Sequence, residues 1–248
     1  IAERRMMDGV WLIRPLLQAS KSELLHYVQA HRQNSIDDPS NASPYYSRSR
    51  LRLALAHAPQ DHTERLWKLW ETFSRWRYAV DRALAACAVR CVALHPAGFA
   101  TLSYEVLRAE PPVLRERLIS WLCQIISGNG EPPRGHEVAR LTSSLLRPET
   151  QGATLHGSRW VRHGKGSWLV LRERSRMQEP VIITPARQLW DRRFMPNPSL
   201  VGQELAIGAM PPPDSKTQAA LRDADIPRRV WPTLPALYRL EECVHVPH

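Results

Sequence analysis

The chain has 248 residues, of which 43% are hydrophobic and 23% charged, and its formal net charge is +10. This composition excludes a disordered chain, and no apolar run reaches the roughly 18 residues that a membrane-spanning helix needs. The excess of Lys and Arg favours a polyanionic partner, because cations that neutralise phosphates release counterions.

The first segment reads as one α/β unit. The apolar run VWLIRPLL at 10–17 predicts a buried strand that stops near Pro15. Ser20 stands three residues before Glu23, which is the spacing of a capping box, and helical periodicity continues over 20–33. A strand followed by a helix is typical of an α/β domain.

The next stretch, DDPSNASPYYSRSRLR at 37–52, combines turn-forming residues with arginines. Either Asp37 or Asp38 can accept hydrogen bonds from an arginine, and Asn41 favours an Asx turn. We expect the loop to be ordered by three of its side chains: Asp38, Ser40 and Asn41.

A second helix is predicted to follow that loop, from Tyr45 to His57, with Ser43 as its N-cap. Arg52 is the fourth residue after Arg48, so the two share one helix face and can bind a phosphate or carboxylate as a fork. The alternative is a capping loop followed by arginines that are merely exposed.

The middle of the chain is rich in Leu, Ala, Trp and Arg, and residues 62–94 predict one helix of roughly 30 residues. Trp67, Trp70 and Trp76 either pack in a helical bundle or stack on RNA bases. Cys87 and Cys91 share a helix face; buried free thiols are favoured over two zinc ligands, because no second pair has zinc spacing.

Further elements follow in chain order. Helices are predicted at 111–126 and 136–147, a β-hairpin at 154–175, strand-like segments at 179–199, a short helix at 215–227, and proline-broken strands to the end. The fold class is therefore α+β and multidomain, with the end of an α/β nucleotide domain, a helical middle domain with a β-hairpin, and a small α+β C-terminal domain. The expected boundaries are 1–58, 59–178 and 179–248.

Motifs for self-contained catalysis are absent. The sequence has no G-x-S-x-G, no H-E-x-x-H, no Walker loop and no G-x-G-x-x-G after a strand, and its histidines have no metal-site spacing. We therefore predict no catalytic residue and no metal ligand within these residues.

The segment with RPLL and DPSN resembles the tRNA(Ile)-lysidine synthetase family. The residues that carry the resemblance are Arg14, Pro15, Leu16, Leu17, Glu23, Leu24, Tyr27, Asp38, Pro39, Ser40, Asn41, Tyr46, Arg48, Leu51 and Arg52. One position departs from the pattern, because Ser49 stands where the family usually has Asn. LRERLISWL, the hairpin and LRDADIPRRVWPTLPALY extend the resemblance over nearly the whole chain.

The resemblance implies a cytoplasmic ligase that uses ATP with Mg²⁺ to adenylate C2 of the wobble cytidine of an isoleucine tRNA with a CAU anticodon. L-lysine then displaces AMP, and the modified tRNA reads AUA. No membrane and no protein partner are implied. The family's S-G-G-x-D-S loop does not occur in the sequence, so we expect an incomplete chain, inactive alone, whose ATP is bound mainly by the missing N-terminal part.

The resemblance also places the loop at 37–43 and the arginine helix where ATP and tRNA meet. The expected contacts to tRNA or nucleotide phosphate come from Arg48, Arg52, Lys216, Arg222, Arg228 and Arg229, and the alternative for the C-terminal cations is a solvated basic face. Two other functions stay open: a non-catalytic tRNA-binding module, and a basic helical protein that binds DNA.

Overall fold

The computed structural model describes residues 4–7, 10–17, 19–36, 43, 45–56, 58–164, 166–184, 189–240 and 242–246. They form two compact units, Ile1–Arg77 and Tyr78–His248, and the boundary falls within one long helix. Each unit is described by itself. The three-domain division predicted above stays a prediction.

The first unit contains a two-stranded antiparallel sheet of β1 (Arg4–Met7) and β2 (Val10–Ile13). It continues with α1 (Lys21–Ala30) and α2 (Ser47–Ala56). The predicted capping box is confirmed: Ser20 Oγ accepts a hydrogen bond from the Glu23 amide, and the Ser20 amide donates to Glu23 Oε2 at 2.7 Å. These reciprocal bonds satisfy two amides at the start of α1.

Two details of this unit differ from the sequence prediction. The strand at Val10–Ile13 is present, but all four residues are exposed, so the expected burial is not found among the described residues. The arginine helix begins at Ser47 rather than Tyr45, because residues 45 and 46 form a turn in which Tyr45 N donates to Ser43 Oγ.

The predicted long helix is confirmed as α3 (Gln60–Cys91), 32 residues in length. In its first half Trp67 is 52% exposed and Trp76 is 54% exposed, so the described residues do not bury these two side chains in a helical bundle, whereas Trp70 is partly buried. Near its end Cys87 and Cys91 are buried with their sulfurs 3.4 Å apart. Burial raises the pKa of Cys91 to about 12, which keeps this thiol protonated, as expected for a free structural cysteine.

Three helices follow in the second unit: α4 (Tyr104–Ala109), α5 (Pro112–Ser127) and α6 (Gly135–Leu145). Pro112 occupies the first turn of α5, where its missing N–H costs nothing. The helix ends at Gly128, whose φ of 68° is the left-handed conformation that glycine adopts without strain. The helices predicted at 111–126 and 136–147 are therefore confirmed.

The predicted hairpin is confirmed as the pair β6 (Ser158–His163) and β7 (Ser167–Arg172). It belongs to a larger antiparallel sheet of five strands in the order β3-β4-β7-β6-β5. The other members are β3 (Val92–His95), β4 (Phe99–Ser103) and β5 (Gly152–Leu155). The helix predicted over 62–94 is wrong at its end, because residues 92–94 pair with β4 instead.

Both faces of this sheet are covered. Trp160, Trp168 and Val170 pack with α5 and α6 in one core, whereas Val161, Leu169 and Leu171 pack with the C-terminal region in a second core. Alternate residues of a strand point to opposite faces, so an uninterrupted apolar run such as WLVL matches a strand that is buried on both sides.

The C-terminal region adds a four-stranded antiparallel sheet in the order β11-β10-β9-β8. Its strands are β8 (Val181–Ile182), β9 (Ala206–Ala209), β10 (Pro235–Arg239) and β11 (Glu242–His245). The helix α7 (Ser215–Asp223) precedes β10, and Asp214 caps it by accepting from Thr217 N at 2.8 Å. The α+β prediction is thus confirmed. No helix in the described ranges is both long and apolar enough to cross a bilayer.

Candidate nucleic-acid interface

The helix α2 presents arginines on an exposed surface. Arg48 and Arg52 lie one turn apart and both are exposed, so the predicted shared face is present. Arg50 is also exposed, but it points along its own helix, with its guanidinium donating to Ser47 Oγ at 3.3 Å. One guanidinium can bind two oxygens of a phosphate through parallel N–H donors, and two guanidinium groups one turn apart can hold one phosphate from two sides or two neighbouring phosphates.

The three loop side chains predicted to order this region, Asp38, Ser40 and Asn41, lie outside the described residues. Their roles stay predictions. Ser49, which departs from the family pattern, is 7% exposed and therefore faces inwards, unlike its arginine neighbours. The position is thus separate from the exposed arginine face.

The four C-terminal cations are exposed, but the fold does not bring them all together. Lys216 lies in the first turn of α7, whereas Arg222 lies in its last turn. Arg228 and Arg229 follow in the turn after Pro227, with the Arg228 guanidinium 5.5 Å from the ring centre of Trp231. Of these four, Arg222, Arg228 and Arg229 line the cavities described next.

The first cavity, which we name the arginine cavity, has a volume of about 730 Å³. Its cationic lining consists of Arg159 and Arg162 from β6 and Arg229 from the C-terminal region, and none of its described lining residues is acidic. Arg162 is held firmly: Nε donates to Thr150 O at 3.2 Å, and its guanidinium lies 4.3 Å from the Trp168 ring centre. A fixed cation beside two exposed ones suits an anionic ligand.

The second cavity, which we name the histidine cavity, has a volume of about 440 Å³. Its basic lining consists of His95, His163, Arg222 and Arg228, and Asp225 is the one carboxylate among the lining residues that the structure describes. His95 is stacked on Phe99 with ring centres 4.5 Å apart, and its Nδ1 accepts a hydrogen bond from Ala97 N. The remaining nitrogen, Nε2, therefore carries the proton of the neutral ring.

The two cavities flank one contact between the five-stranded sheet and the C-terminal region. Arg162 and His163 are adjacent in β6 and line different cavities, and the same holds for Arg229 and Arg228 in the turn. Sequence reasoning missed the contributions from the sheet. The signal was present in the basic pattern RWVRH of the predicted hairpin, but only the fold shows which C-terminal cations these residues meet.

Residues 1–77 offer almost no glycine from which a cradle for nucleotide phosphates could be built. Such a cradle uses closely spaced glycines whose amides point at the phosphates. Residues 1–77 contain a single glycine, Gly9, and it lies outside the described residues. No group of three or more His, Cys, Asp or Glu within the described ranges has metal-binding geometry. The described part of residues 1–77 therefore supplies neither a glycine-rich phosphate loop nor a divalent-cation site.

Comparison with known proteins extends these observations. A family model described as a PP-loop domain matches residues 1–59. A tRNA(Ile)-lysidine synthase of Ruegeria pomeroyi is 32% identical over 84% of this chain and 49% of its own length. Proteins with the same name are 25% identical in Orientia tsutsugamushi, over 98% of this chain and 59% of the relative, and 26% identical in Wolbachia from Brugia malayi, over 94% and 55%.

The match to the Orientia tsutsugamushi relative, over 98% of this chain, includes the arginine helix and both cavities. The chain spans about half the length of the relatives it matches.

Proposed function

Because the chain belongs to the tRNA(Ile)-lysidine synthase family, we propose that it serves ATP-dependent ligation of lysine to the wobble cytidine of an isoleucine tRNA with a CAU anticodon. The observation that carries this proposal is similarity over both units of the chain, from the PP-loop match to the C-terminal cations. On this proposal the protein is a cytoplasmic tRNA-modifying ligase with tRNA, lysine and ATP as its substrates.

The part of the reaction that these residues serve is the binding of tRNA. A polyanion is attracted by the net charge of +10, and the exposed arginines of α2 and of the C-terminal turn offer donors for its phosphates. Phosphate contacts of this kind fix the register of an RNA on a protein but do not read its bases. We therefore assign positioning of the tRNA, rather than choice of the anticodon, to the cations of the two cavities.

ATP would be held by a glycine-rich loop supplied outside these 248 residues. The S-G-G-x-D-S string is absent from the sequence, and residues 1–77 contain only one glycine. Arg48 and Arg52 are proposed to contact a phosphate of tRNA or nucleotide from the PP-loop domain.

A second candidate function follows from the same absence. A chain without a nucleotide loop can hold tRNA without activating it, so a non-catalytic tRNA-binding module is the alternative. The two proposals differ in whether an S-G-G-x-D-S loop is encoded in the same reading frame upstream of the Ile1 codon. A stop codon directly upstream would favour the binding module.

The test of the enzymatic proposal compares Arg48→Ala with Arg50→Ala in the protein encoded by the intact reading frame. Both changes remove one exposed arginine from α2, but only Arg48 shares the exposed face with Arg52. We expect Arg48→Ala to lower the rate of lysidine formation at least tenfold, about the loss of one charge-assisted hydrogen bond. Arg50→Ala should retain near-normal activity, and the melting temperatures should match.

An equal loss of activity in the two variants would contradict the assigned role of Arg48, and so would a collapse of the melting temperature in Arg48→Ala alone. Failure of the intact protein to form lysidine on a CAU transcript would remove the enzymatic proposal itself.

A further inference from the structure

One of the contacts between the C-terminal region and the five-stranded sheet is made by an unusual loop, residues 190–194, which we name the anchor loop. It is closed by Trp190 and Phe194, each of which donates its amide to the carbonyl of the other. Asp191 and Arg192 have φ angles of 49° and 58°. Two consecutive non-glycine residues in the left-handed region are strained, so surrounding contacts must hold this conformation in place.

A buried carboxylate provides those contacts. Asp191 is 3% exposed and accepts from Arg172 Nε and Nη2, both at 2.9 Å, and from Arg193 Nε at 3.0 Å. Gln178 completes the arrangement. Its backbone N–H donates to Asp191 Oδ1, and its side-chain Oε1 accepts a hydrogen bond from the backbone N–H of Asp191. One carboxylate therefore joins the end of β7 to two segments of the C-terminal region.

The arginines continue the connection into turns of the sheet. Arg172 also donates to Gly157 O at 2.9 Å, in the turn between β5 and β6. Arg193 donates to Gly98 O at 3.2 Å, in the turn between β3 and β4. A buried charge is costly unless it is paired and hydrogen-bonded, so this network is stable only in one relative placement of the two parts.

Three glycines lie so close to the anchor loop or to Arg172 that a Cβ at their positions would clash. A Cβ on Gly98 would lie 2.7 Å from Phe194 Cζ, and one on Gly128 would lie 2.9 Å from the Cβ of Arg192. A Cβ on Gly157 would overlap Nη1 of Arg172. All three glycines also have positive φ angles, from 68° to 83°. Glycine at these three positions thus leaves the space that the anchor loop and the Arg172 side chain occupy.

The anchor loop is independent of the apolar contact between the same two parts. The second core joins Val161, Leu169 and Leu171 to the C-terminal side chains around Val230 and Trp231. Apolar contacts of that kind tolerate small sliding movements, whereas a shared buried carboxylate with directed hydrogen bonds does not. The two cavities lie at this junction, and each takes cations from both sides.

We propose that the anchor loop is a positioning element that sets the distance between cations of the five-stranded sheet and cations of the C-terminal region, so that the two groups bind one stretch of tRNA backbone together. The inference rests on the proposed function, because it names how that tRNA is held. Asp191 is the positioning residue at its centre. The Asp191 carboxylate is buried and paired with Arg172 and Arg193, so it does not contact RNA itself. It acts on RNA binding only by fixing the positions of residues such as Arg159 and Arg229.

The test compares Asp191→Asn with Asp214→Asn in the 248-residue chain. Both variants lose one negative charge from the C-terminal region. Asp214 is an exposed helix cap that is not part of the anchor loop, and Asn is an equally good cap. The ligand is an isoleucine tRNA transcript with a CAU anticodon, and affinity is measured at several salt concentrations below the melting temperature of each variant.

We expect Asp191→Asn to weaken tRNA binding about tenfold relative to Asp214→Asn. The slope of log affinity against log salt should also become shallower by about 1, because each lost phosphate contact removes roughly 0.7 to 0.9 from it. Adding Arg229→Ala should cost less affinity in the Asp191→Asn background than in the wild type, since misplaced cations no longer act together.

Folded Asp191→Asn with the affinity and slope of Asp214→Asn would overturn the proposal. If Asp191→Asn does not fold, Arg193→Lys replaces it: this change keeps the charge but loses the forked donor that reaches Asp191 and Gly98 O. Full additivity with Arg229→Ala would also overturn it.

Amide hydrogen exchange over residues 177–194 separates this inference from the proposed function. We expect exchange there to accelerate in Asp191→Asn but not in Asp214→Asn, whether or not RNA is present. If the wild-type chain bound no tRNA, the proposed function would fail while the exchange result still reported on the anchor loop; unchanged exchange would overturn the anchor itself.

Discussion

The two compact units of this protein differ in where their apolar side chains lie. In the described part of the first unit, Trp11 is 57% exposed and Ile13 is 62% exposed, and every fully buried apolar residue of the described chain belongs to the second unit. The second unit holds three cores, on both faces of one sheet and within the C-terminal region. The DPSN and arginine motif therefore belongs to a different unit from the cores that stabilise the chain.

The largest expected effect follows directly from this contrast. Trp160→Ala removes a side chain that is 0% exposed at the centre of the sheet, and we expect it to lower the free energy of unfolding of the 248-residue chain by about 3–5 kcal/mol. Trp11→Ala removes the same side chain from an exposed strand of the first unit and should cost less than about 0.5 kcal/mol.

Urea denaturation of both tryptophan variants measures the difference. An equal loss of unfolding free energy in the two variants would contradict the difference in burial between the two units.

Within the second unit, substitution of Gly157, which lies against Arg172, should lower the free energy of unfolding nearly as much as Trp160→Ala. Gly157→Ala adds a Cβ in a left-handed turn and displaces the Arg172 guanidinium, so we expect a loss of about 3 kcal/mol of unfolding free energy. Gly164→Ala is the matched control: Gly164 has a φ of 59° but no atom within 4 Å of the added Cβ.

The control should cost only about 1 kcal/mol, the strain of the left-handed backbone alone. Thermal melts of the two variants side by side distinguish close packing from backbone strain, and identical losses would show that Arg172 moves aside freely.

The two units share one smaller feature, a carboxylate at the start of a helix. Hydrogen bonds from Thr217 lower the pKa of Asp214, and hydrogen bonds from Ser20 lower that of Glu23. A lowered folded-state pKa means that these caps stabilise the protein above the ordinary carboxyl range and that this contribution is lost as the pH falls through the folded pKa.

We therefore expect the melting temperature to fall more between pH 6 and pH 3 in the wild type than in Asp214→Asn, whose cap cannot be protonated. Parallel curves for the two proteins would contradict the capping role of Asp214.

Much of the fold followed from local sequence signals. The Ser20 cap, the length of α3, the proline at the start of α5 and the hairpin turn are each set by a few neighbouring residues, and the structure confirms them. The sheet around the hairpin was missed, because β3 continues directly from a helical pattern at Val92, and pairing with β4 overrides that local preference.

The candidate site was predictable only in part. The exposed arginines of α2 were visible in the sequence at their helical spacing. The cavities were not, because Arg159 and Arg229 are 70 residues apart in the chain and meet only through tertiary packing. The buried Arg172–Asp191–Arg193 network left no signal in spacing, since charged residues give no sign of burial in a single sequence.

Salt-dependent binding of the 248-residue chain to an isoleucine tRNA with a CAU anticodon, beside a DNA duplex of similar length, tests the account most directly. If the six candidate cations of α2, α7 and the following turn all contact phosphates, log affinity should fall with log salt with a slope of about −4 to −5. We expect tRNA to bind at least tenfold more tightly than the duplex, because the cations of the five-stranded sheet and of the C-terminal region are proposed to bind one stretch of tRNA backbone together. Equal affinity for the two would contradict the account and leave only non-specific attraction by a basic surface.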